Sequence, residues 1–207
     1  MIVVDPKTTD EKNIYKLMIG CIVPRPIAFV STIDADGKNN LAPFSFFMGV
    51  GANPPSLAFS VSKRGSDGGI KDTLKNILTT NEFVVSVVTE EIAEQMNITS
   101  AEFPPHIDEF LVSKLTPFPS VKIRPPRVKE SPVHLECTLL QSVAIGDSTI
   151  IIGEIVYFHV AETIFENYRI DISQLHPIGR LAGNSYSRTR DIFEITRLSA
   201  QQFFENR

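Results

Sequence analysis

Short runs that alternate apolar and polar residues, separated by turn-forming residues, constrain the fold of this chain more than any other feature. They are rich in β-branched and aromatic side chains and occupy residues 27–33, 40–47, 56–62, 82–88, 133–139 and 148–160. Turn signals at Asp34–Gly37 and Gly146-Asp147 separate neighbouring runs. Helical periodicity is confined to short segments near residues 8–20, 70–80 and 90–96. The pattern therefore predicts a mainly β fold, an antiparallel β-barrel with a few helices.

Several local patterns make finer predictions about these elements. Thr8 and Glu11 have capping-box spacing, and the amphipathic helix that follows is expected to cover a barrel end. In the run 133–139, alternation predicts a half-exposed strand with its polar side chains, including His134 and Glu136, facing outward. A final strand is expected near residues 191–196. The proline-rich stretch 101–132 reads as an excursion over the surface.

Length and composition limit the classes of function. A chain of 207 residues fits one domain, residues 1–207. A net charge of −4 disfavours a general nucleic-acid binder, and no apolar run reaches the ~20 residues that a membrane span needs. The N-terminus lacks a signal-peptide pattern, and Cys21 and Cys137 have no metal-ligand or redox spacing. The four histidines form no metal motif. We therefore expect a cytoplasmic protein with two reduced thiols and no metal.

The loop between Ser62 and the helix that begins near Ile70 is the most informative stretch for function. It combines small residues, hydroxyls and two cations, Arg64 and Lys71. One interpretation is a solvated glycine-rich loop, with Asp72 or a neighbour capping the helix. The other is a phosphate cradle, in which both cations, the hydroxyls of Ser62 and Thr73 and the helix-start N–H groups bind an anion. An aromatic and hydroxyl-rich strand beside it could hold a flat ring, which suggests a phosphorylated planar cofactor.

No residue pattern indicates a covalent nucleophile. Gly49-Val50-Gly51 resembles the start of a dinucleotide fingerprint, but Asn53-Pro54-Pro55 follows at once, so no helix can run from it. The chain has no GxSxG elbow, and Cys137 lies on an alternating strand as a core thiol would. If the protein is an enzyme, a bound cofactor carries the chemistry.

Motifs spread along the chain resemble one known family. They are Tyr15-Lys16-Leu17, Pro24–Thr32 (PRPIAFVST), Asn40–Phe47 (NLAPFSFF), Asn53-Pro54-Pro55, Lys71–Ile77 (KDTLKNI), Leu135-Glu136-Cys137 and Gly179–Tyr186 (GRLAGNSY). In this order they resemble the flavin reductase-like family of FMN-binding split-barrel proteins, which includes flavoredoxin-like members. The resemblance spans about residues 15–186. Ala182 departs from the pattern, where glycine is as common.

The resemblance implies a six-stranded antiparallel, Greek-key-like split barrel that forms a homodimer, with one FMN per subunit near the dimer interface. Position by position, it implies that the phosphate is held by Arg64, Lys71 and Thr73, with Ser60 or Ser62 nearby and Asp72 anchoring the loop. It places Ala42, Pro43, Ser45, Phe46 and Phe47 along the isoalloxazine, and Asn40 on the ring or ribityl. Ser31 and Thr32 would lie on the adjoining strand, Arg25 would meet FMN or the partner subunit, and Tyr186 would close the pocket.

Three functions are compatible with such a site. The leading hypothesis is an NAD(P)H:flavin oxidoreductase, in which NAD(P)H is the co-substrate and a nicotinamide passes hydride to FMN. For the nicotinamide we nominate only His176 and Tyr186, without assigning a catalytic residue. The alternative is a flavoredoxin-like electron carrier that exchanges electrons with a protein partner and does not turn over NAD(P)H. A third is a flavin-binding barrel without turnover.

Overall fold

The computed structural model describes residues 1–205 and is built around one large antiparallel sheet. In chain order the strands are β1 (Ala28–Ile33), β2 (Asn39–Phe44), β3 (Phe47–Ala52), β4 (Pro55–Ser62), β5 (Glu82–Val87), β6 (Pro117–Phe118), β7 (Arg127–Val128), β8 (Val133–Ile145), β9 (Ser148–Val160), β10 (Phe165–Glu166), β11 (Arg169–Ile170), β12 (Ile178–Arg180) and β13 (Tyr186–Arg188). The helices are α1 (Glu11–Cys21), α2 (Asp72–Thr80), α3 (Ala93–Ile98), α4 (Glu109–Ser113), α5 (Ile172–Leu175) and α6 (Ala200–Glu205).

The large sheet must curl because its two edge strands are neighbours in sequence. Its order is β2-β1-β5-β8-β9-β4-β3, with every pairing antiparallel. Only Ser45 and Phe46 separate β2 at one edge from β3 at the other, so the edges have to approach each other. Long connections between paired strands, as from β1 to β5, give the Greek-key-like order. The expected mainly β barrel is confirmed, with seven strands rather than the six implied by the resemblance.

The barrel interior is packed around three phenylalanines and one glycine. The ring centroids of Phe44 and Phe59 lie 5.3 Å apart, and those of Phe59 and Phe83 lie 5.5 Å apart in an edge-to-face arrangement. Gly153 on β9 leaves room for the Phe83 ring, since a Cβ added at residue 153 would lie 2.3 Å from Phe83 Cζ. A side chain at this position is therefore incompatible with the ring where it lies.

Helix α2 packs on the barrel through Leu74 and Ile77, which join the interior core. The helix ends as the pattern predicts, because Asn81 adopts a left-handed conformation with φ of 59° at the C-cap. Its start differs from one interpretation of the sequence. Lys71 is the N-cap residue and makes no side-chain capping bond, while Asp72 is already the first helical residue. Of the two alternatives in that interpretation, Asp72 or a neighbour as the cap, the structure excludes Asp72 and places its neighbour Lys71 at the N-cap position.

The stretch 101–132 lies over the outer face of the sheet and buries polar side chains there. Glu136 is fully buried, and its carboxylate accepts hydrogen bonds from the backbone N–H groups of Val121 and Lys122, both at 2.7 Å. His159 Nε2 lies 2.6 Å from the same carboxylate. His134 is also buried, with Nδ1 3.0 Å from Ser86 Oγ. The prediction of a half-exposed strand at 133–139 is wrong, because the excursion covers its polar face.

The burial of His134 predicts a loss of stability in mild acid. Burial, with repulsion from Arg127 and His159, lowers the pKa of His134 to about 3, whereas 6.5 is the ordinary value. As pH falls through 6.5, His134 binds a proton in the unfolded chain but stays neutral in the folded protein. Stability is therefore lost from pH 6.5 towards pH 3. The contribution amounts to about 2 kcal/mol of unfolding free energy between about pH 7 and pH 5.

Urea denaturation of the wild type and of His134→Asn at both pH values measures this contribution. Asparagine keeps an acceptor for Ser86 but does not titrate, so the variant should lose less stability than the wild type on acidification. The other histidines, common to both proteins, cancel in the comparison. Equal losses in the two proteins would contradict the assignment.

Two terminal predictions also differ from the structure. Helix α1 is capped by Asp10, whose side chain accepts from Lys12 N at 2.9 Å, rather than by Thr8. None of its residues is buried, so within one chain α1 does not cover the barrel end as predicted. Residues 191–196 form no strand, because no neighbouring strand pairs with them in the described chain.

None of the described helices has the length and apolar character needed to cross a membrane.

Candidate functional site

A groove runs between β2, the start of α2 and the segment that follows α3. It brings together seven of the residues singled out from the sequence: Asn40, Ala42, Pro43, Arg64, Lys71, Asp72 and Thr73. These residues come from three separate parts of the chain. The barrel places β2 beside α2, and the 63–69 loop leads from β4 into that helix. The structure therefore joins the cation-bearing loop to the NLAPF strand in one site.

The cations at one end of the groove have unused hydrogen-bonding capacity. Arg64 Nε is buried and has no hydrogen-bond partner, although it lies 3.4 Å from Asp67 Oδ1 without bonding geometry. Lys71 Nζ lies 5.7 Å from the centroid of the Phe44 ring and forms none of the ion pairs found among residues 1–205. The first turn of α2 lacks a side-chain cap. An anion in the groove would satisfy these groups.

A buried hydrogen-bond network fixes the wall behind the cations. Asn40 Oδ1 accepts from Thr73 Oγ1 at 2.7 Å and from Thr32 Oγ1 at 3.3 Å. Thr32 Oγ1 in turn accepts from Asn76 Nδ2 at 3.1 Å. All four side chains are buried. The hydroxyls of Thr73 and Thr32 are therefore engaged with Asn40, so these two residues tie β1, β2 and α2 together rather than presenting free donors to the groove.

A second pocket continues the groove along β2. Pro43 and Ser100 line both cavities, and the second contains Ser45 and Tyr186, two further residues singled out from the sequence. The Arg180 guanidinium stacks 4.6 Å from the centroid of the Tyr186 ring, and Tyr186 Oη donates to Asn97 Oδ1 at 3.2 Å. Tyr186 is thus held at the end of the groove opposite the two cations.

Arg25 acts as a buried brace behind this second pocket. Only 5% of the residue is exposed. Its guanidinium donates to the carbonyl oxygens of Ile19 at 2.8 Å, Ile22 at 2.7 Å and Leu181 at 3.0 Å, and to Ser45 Oγ at 3.3 Å. Arg25 therefore joins the end of α1 to the loop after β12 and positions Ser45, with four of its five N–H donors engaged.

The other residues singled out from the sequence lie outside the groove of a single chain. Ser31 donates to the carbonyl of Pro126 beneath the excursion, and the Ser62 and Ser148 hydroxyls lie 2.9 Å apart at the barrel rim. Phe47 packs against the barrel core. The Phe46 carbonyl, just before the start of β3, accepts from Ser60 N at 2.9 Å.

His176 is also separate from the groove, because it lines a different pocket together with Ser173 and Arg190. The structure therefore separates the two residues nominated for the nicotinamide, since Tyr186 lies at the groove and His176 does not.

Two acidic residues of the groove, Glu102 and Glu109, were not among those singled out from the sequence. Glu102 Oε1 accepts from Gly65 N at 2.7 Å, and its Oε2 accepts from Ser66 N at 3.1 Å. Glu109 is buried, which raises the pKa of its carboxyl group, while a hydrogen bond from Leu41 N at 3.1 Å opposes that shift. Both acids belong to the 101–132 stretch, which has no periodic pattern, so only the tertiary fold shows that they face the groove.

Within residues 1–205 no cluster of His, Cys, Asp and Glu side chains could hold a metal ion.

The fold of the barrel is that of a split-barrel protein. A crystal structure from Shewanella frigidimarina with a split barrel domain superposes with a TM-score of 0.83 at 21% identity, covering 96% of this chain and 100% of that one, which establishes the fold. The model of the flavin reductase like domain matches residues 19–176. The protein belongs to the flavin reductase-like family.

Similar proteins cover almost the whole chain. Nitrilotriacetate monooxygenase component B from Bacillus cereus is 39% identical, with a TM-score of 0.90 over 94% of this chain and 98% of that chain. The 2-nitrobenzoate 2-nitroreductase NbaA from Pseudomonas fluorescens is 31% identical, with a TM-score of 0.88 over 96% and 98%. An uncharacterized protein of Aquifex aeolicus is 48% identical and covers 87% of this chain and 92% of its own length.

Proposed function

We propose that this protein binds FMN and acts as an NAD(P)H:flavin oxidoreductase. The observation that carries the proposal is a pair of adjoining cavities that share Pro43 and Ser100: the groove holds the Arg64 and Lys71 cations, and the second pocket holds Ser45 and Tyr186. A flavin mononucleotide has the matching shape, with a phosphate at one end and a planar ring at the other. Family membership supports a flavin ligand.

The donor set fits the phosphate of FMN. Arg64 carries a buried Nε without a hydrogen-bond partner, and Lys71 stands at the uncapped start of α2. Both would donate to phosphate oxygens, and the first-turn N–H groups of α2 would add the favourable end of a helix dipole. Asn40 is held by Thr73 and Thr32, so its side chain forms a fixed part of the groove wall.

The remaining groove residues orient the ring. Ala42 and Pro43 offer an apolar surface on β2, and Arg25 holds Ser45 in place through a 3.3 Å hydrogen bond. Tyr186, fixed by Asn97 and stacked on Arg180, bounds the ring end of the groove. When bound, the flavin supplies the hydride-accepting chemistry, and this chain contributes binding, orientation and exclusion of water.

A visible absorption spectrum tests the proposal. Purified protein is loaded with FMN, freed of unbound ligand by gel filtration, and then mixed with NADH or NADPH without oxygen. We expect retained flavin absorption bands that bleach on addition of NADH or NADPH. A fluorescence titration detects FMN if it is lost on the column. Absence of binding in that titration would refute the proposal.

The second candidate function is an electron carrier similar to flavoredoxin, and the same absorption experiment distinguishes it from a reductase. In that case bound flavin would stay oxidised with both nicotinamides and bleach only with a protein donor or a chemical reductant. The similarity to a monooxygenase component B favours a reductase that passes electrons to a protein acceptor.

We further propose a homodimer, because α1 presents Tyr15, Leu17 and Met18 to solvent in a single chain.

A further inference from the structure

Backbone N–H donors next to Arg64 in the 63–69 loop are already occupied by a carboxylate of the same chain. Glu102 reaches from the segment after α3 to the 63–69 loop and accepts from the N–H groups of Gly65 at 2.7 Å and Ser66 at 3.1 Å. Carboxylate and phosphate oxygens are both hydrogen-bond acceptors with negative charge, so they compete for the same N–H groups. Glu102 lines the groove together with Arg64 and Lys71.

The groove contains more carboxyl groups than cations, so a carboxylate at its cationic end opposes the binding of a phosphate. Two cations, Arg64 and Lys71, line the groove with three carboxyl groups, those of Asp72, Glu102 and Glu109, and Arg64 also forms an ion pair with Asp67 at 3.4 Å. Hydrogen bonds from Ser66 and Gly65 hold the pKa of Glu102 below its usual range, so its carboxylate is charged at neutral pH. A phosphate dianion that enters this end of the groove meets a fixed negative charge beside the two cations.

We propose that Glu102 is an internal competitor for the phosphate: it holds the 63–69 loop in the flavin-free protein and is displaced when a phosphorylated flavin binds. The inference rests on the proposed function, since it concerns the same groove. Glu102 thereby determines specificity, because it lowers the affinity for FMN and leaves riboflavin, which has no phosphate, unaffected.

The test compares two ligands in one variant. Glu102→Gln removes the charge and keeps a carbonyl oxygen that can accept from one of the two N–H groups of the loop. We expect the dissociation constant for FMN, measured by quenching of flavin fluorescence, to fall about tenfold, because a like charge near the phosphate is removed. The constant for riboflavin should stay within about twofold of the wild-type value.

A control variant, Glu94→Gln, and an NMR measurement accompany this test. Glu94→Gln removes the same charge from the exposed side of α3, outside the groove, and should change neither constant. In ¹⁵N–¹H NMR spectra of the wild type, the Gly65 and Ser66 amide signals should shift with FMN and stay in place with riboflavin.

The possible outcomes separate this inference from the proposed function. If Glu102→Gln weakens FMN and riboflavin by the same factor, Glu102 is a brace for the loop and the inference is overturned. An unchanged ratio of the two constants also overturns it, while FMN binding by the wild type leaves the proposed function standing. If neither flavin binds to the wild type or to the variant, the proposed function itself fails.

Discussion

Replacing Lys71 by alanine should weaken FMN binding about 10- to 100-fold, the loss expected for one hydrogen bond to a charged group. Lys71 stands at the start of α2, where no side chain caps the helix, and forms no ion pair within residues 1–205. Its removal therefore frees no buried partner and leaves the fold unchanged. The effect should appear in the dissociation constant for FMN, measured by fluorescence quenching.

Riboflavin is the ligand control for this variant, and Lys75→Ala is the protein control. Lys75 lies one turn along α2 and is exposed, outside the groove, so its loss removes the same charge without a phosphate contact. Riboflavin affinity should remain within about twofold in both variants. If Lys71→Ala binds FMN as tightly as the wild type, Lys71 does not hold the phosphate. The change is opposite in sign to that expected for Glu102→Gln, which makes a non-specific effect on the loop easy to recognise.

The second large effect concerns stability, and it is expected for Gly153→Ala. The added Cβ would lie 2.3 Å from Phe83 Cζ and 2.9 Å from Phe83 Cε1, with Phe83 fully buried in the barrel. Displacing that ring costs about 2–3 kcal/mol of unfolding free energy, as overpacking in a dense core does. Urea denaturation followed by circular dichroism measures the change in midpoint.

Gly49→Ala is the matched control, because a Cβ at Gly49 would meet no atom within 4 Å. Its stability should stay within about 0.5 kcal/mol of the wild type. If Gly153→Ala fails to fold, the double variant with Phe83→Leu provides the readout. The smaller side chain should restore part of the loss, and the two substitutions should be strongly non-additive. A Gly153→Ala protein with wild-type stability would show that the Phe83 ring lies elsewhere.

The strand pattern predicted most of the barrel because periodicity reports which face of a segment is buried. The runs that became β1, β4, β5 and β9 alternate or are apolar on both faces, and all four are in the sheet. Residues 191–196 show the limit of this reasoning. They have strand-like composition, but a strand also needs a partner edge, and the sequence of one segment does not specify that edge.

The site was predictable where its chemistry lies in contiguous motifs, as for Arg64 and Lys71 or for the Asn40–Pro43 strand. The structure adds the groups that long-range contacts bring to the groove. Glu102 comes from a segment without periodicity and meets the 63–69 loop through two backbone N–H groups, which leave no trace in side-chain composition. Glu136 looked like an outward-facing residue because its strand alternates, and only the covering excursion makes it a buried anchor.

The order of strands has a consequence for how the chain folds. Strands β8 and β9 form a hairpin closed by the Gly146-Asp147 turn, so their pairing is local and rapid. By contrast, β4 pairs with β9 across roughly a hundred intervening residues, and that contact carries a large loop-closure entropy. We expect the hairpin to acquire hydrogen-exchange protection first during refolding and β4 to acquire it last. The ligand groove, which depends on the β4-to-α2 loop, would then be completed only at the end of folding.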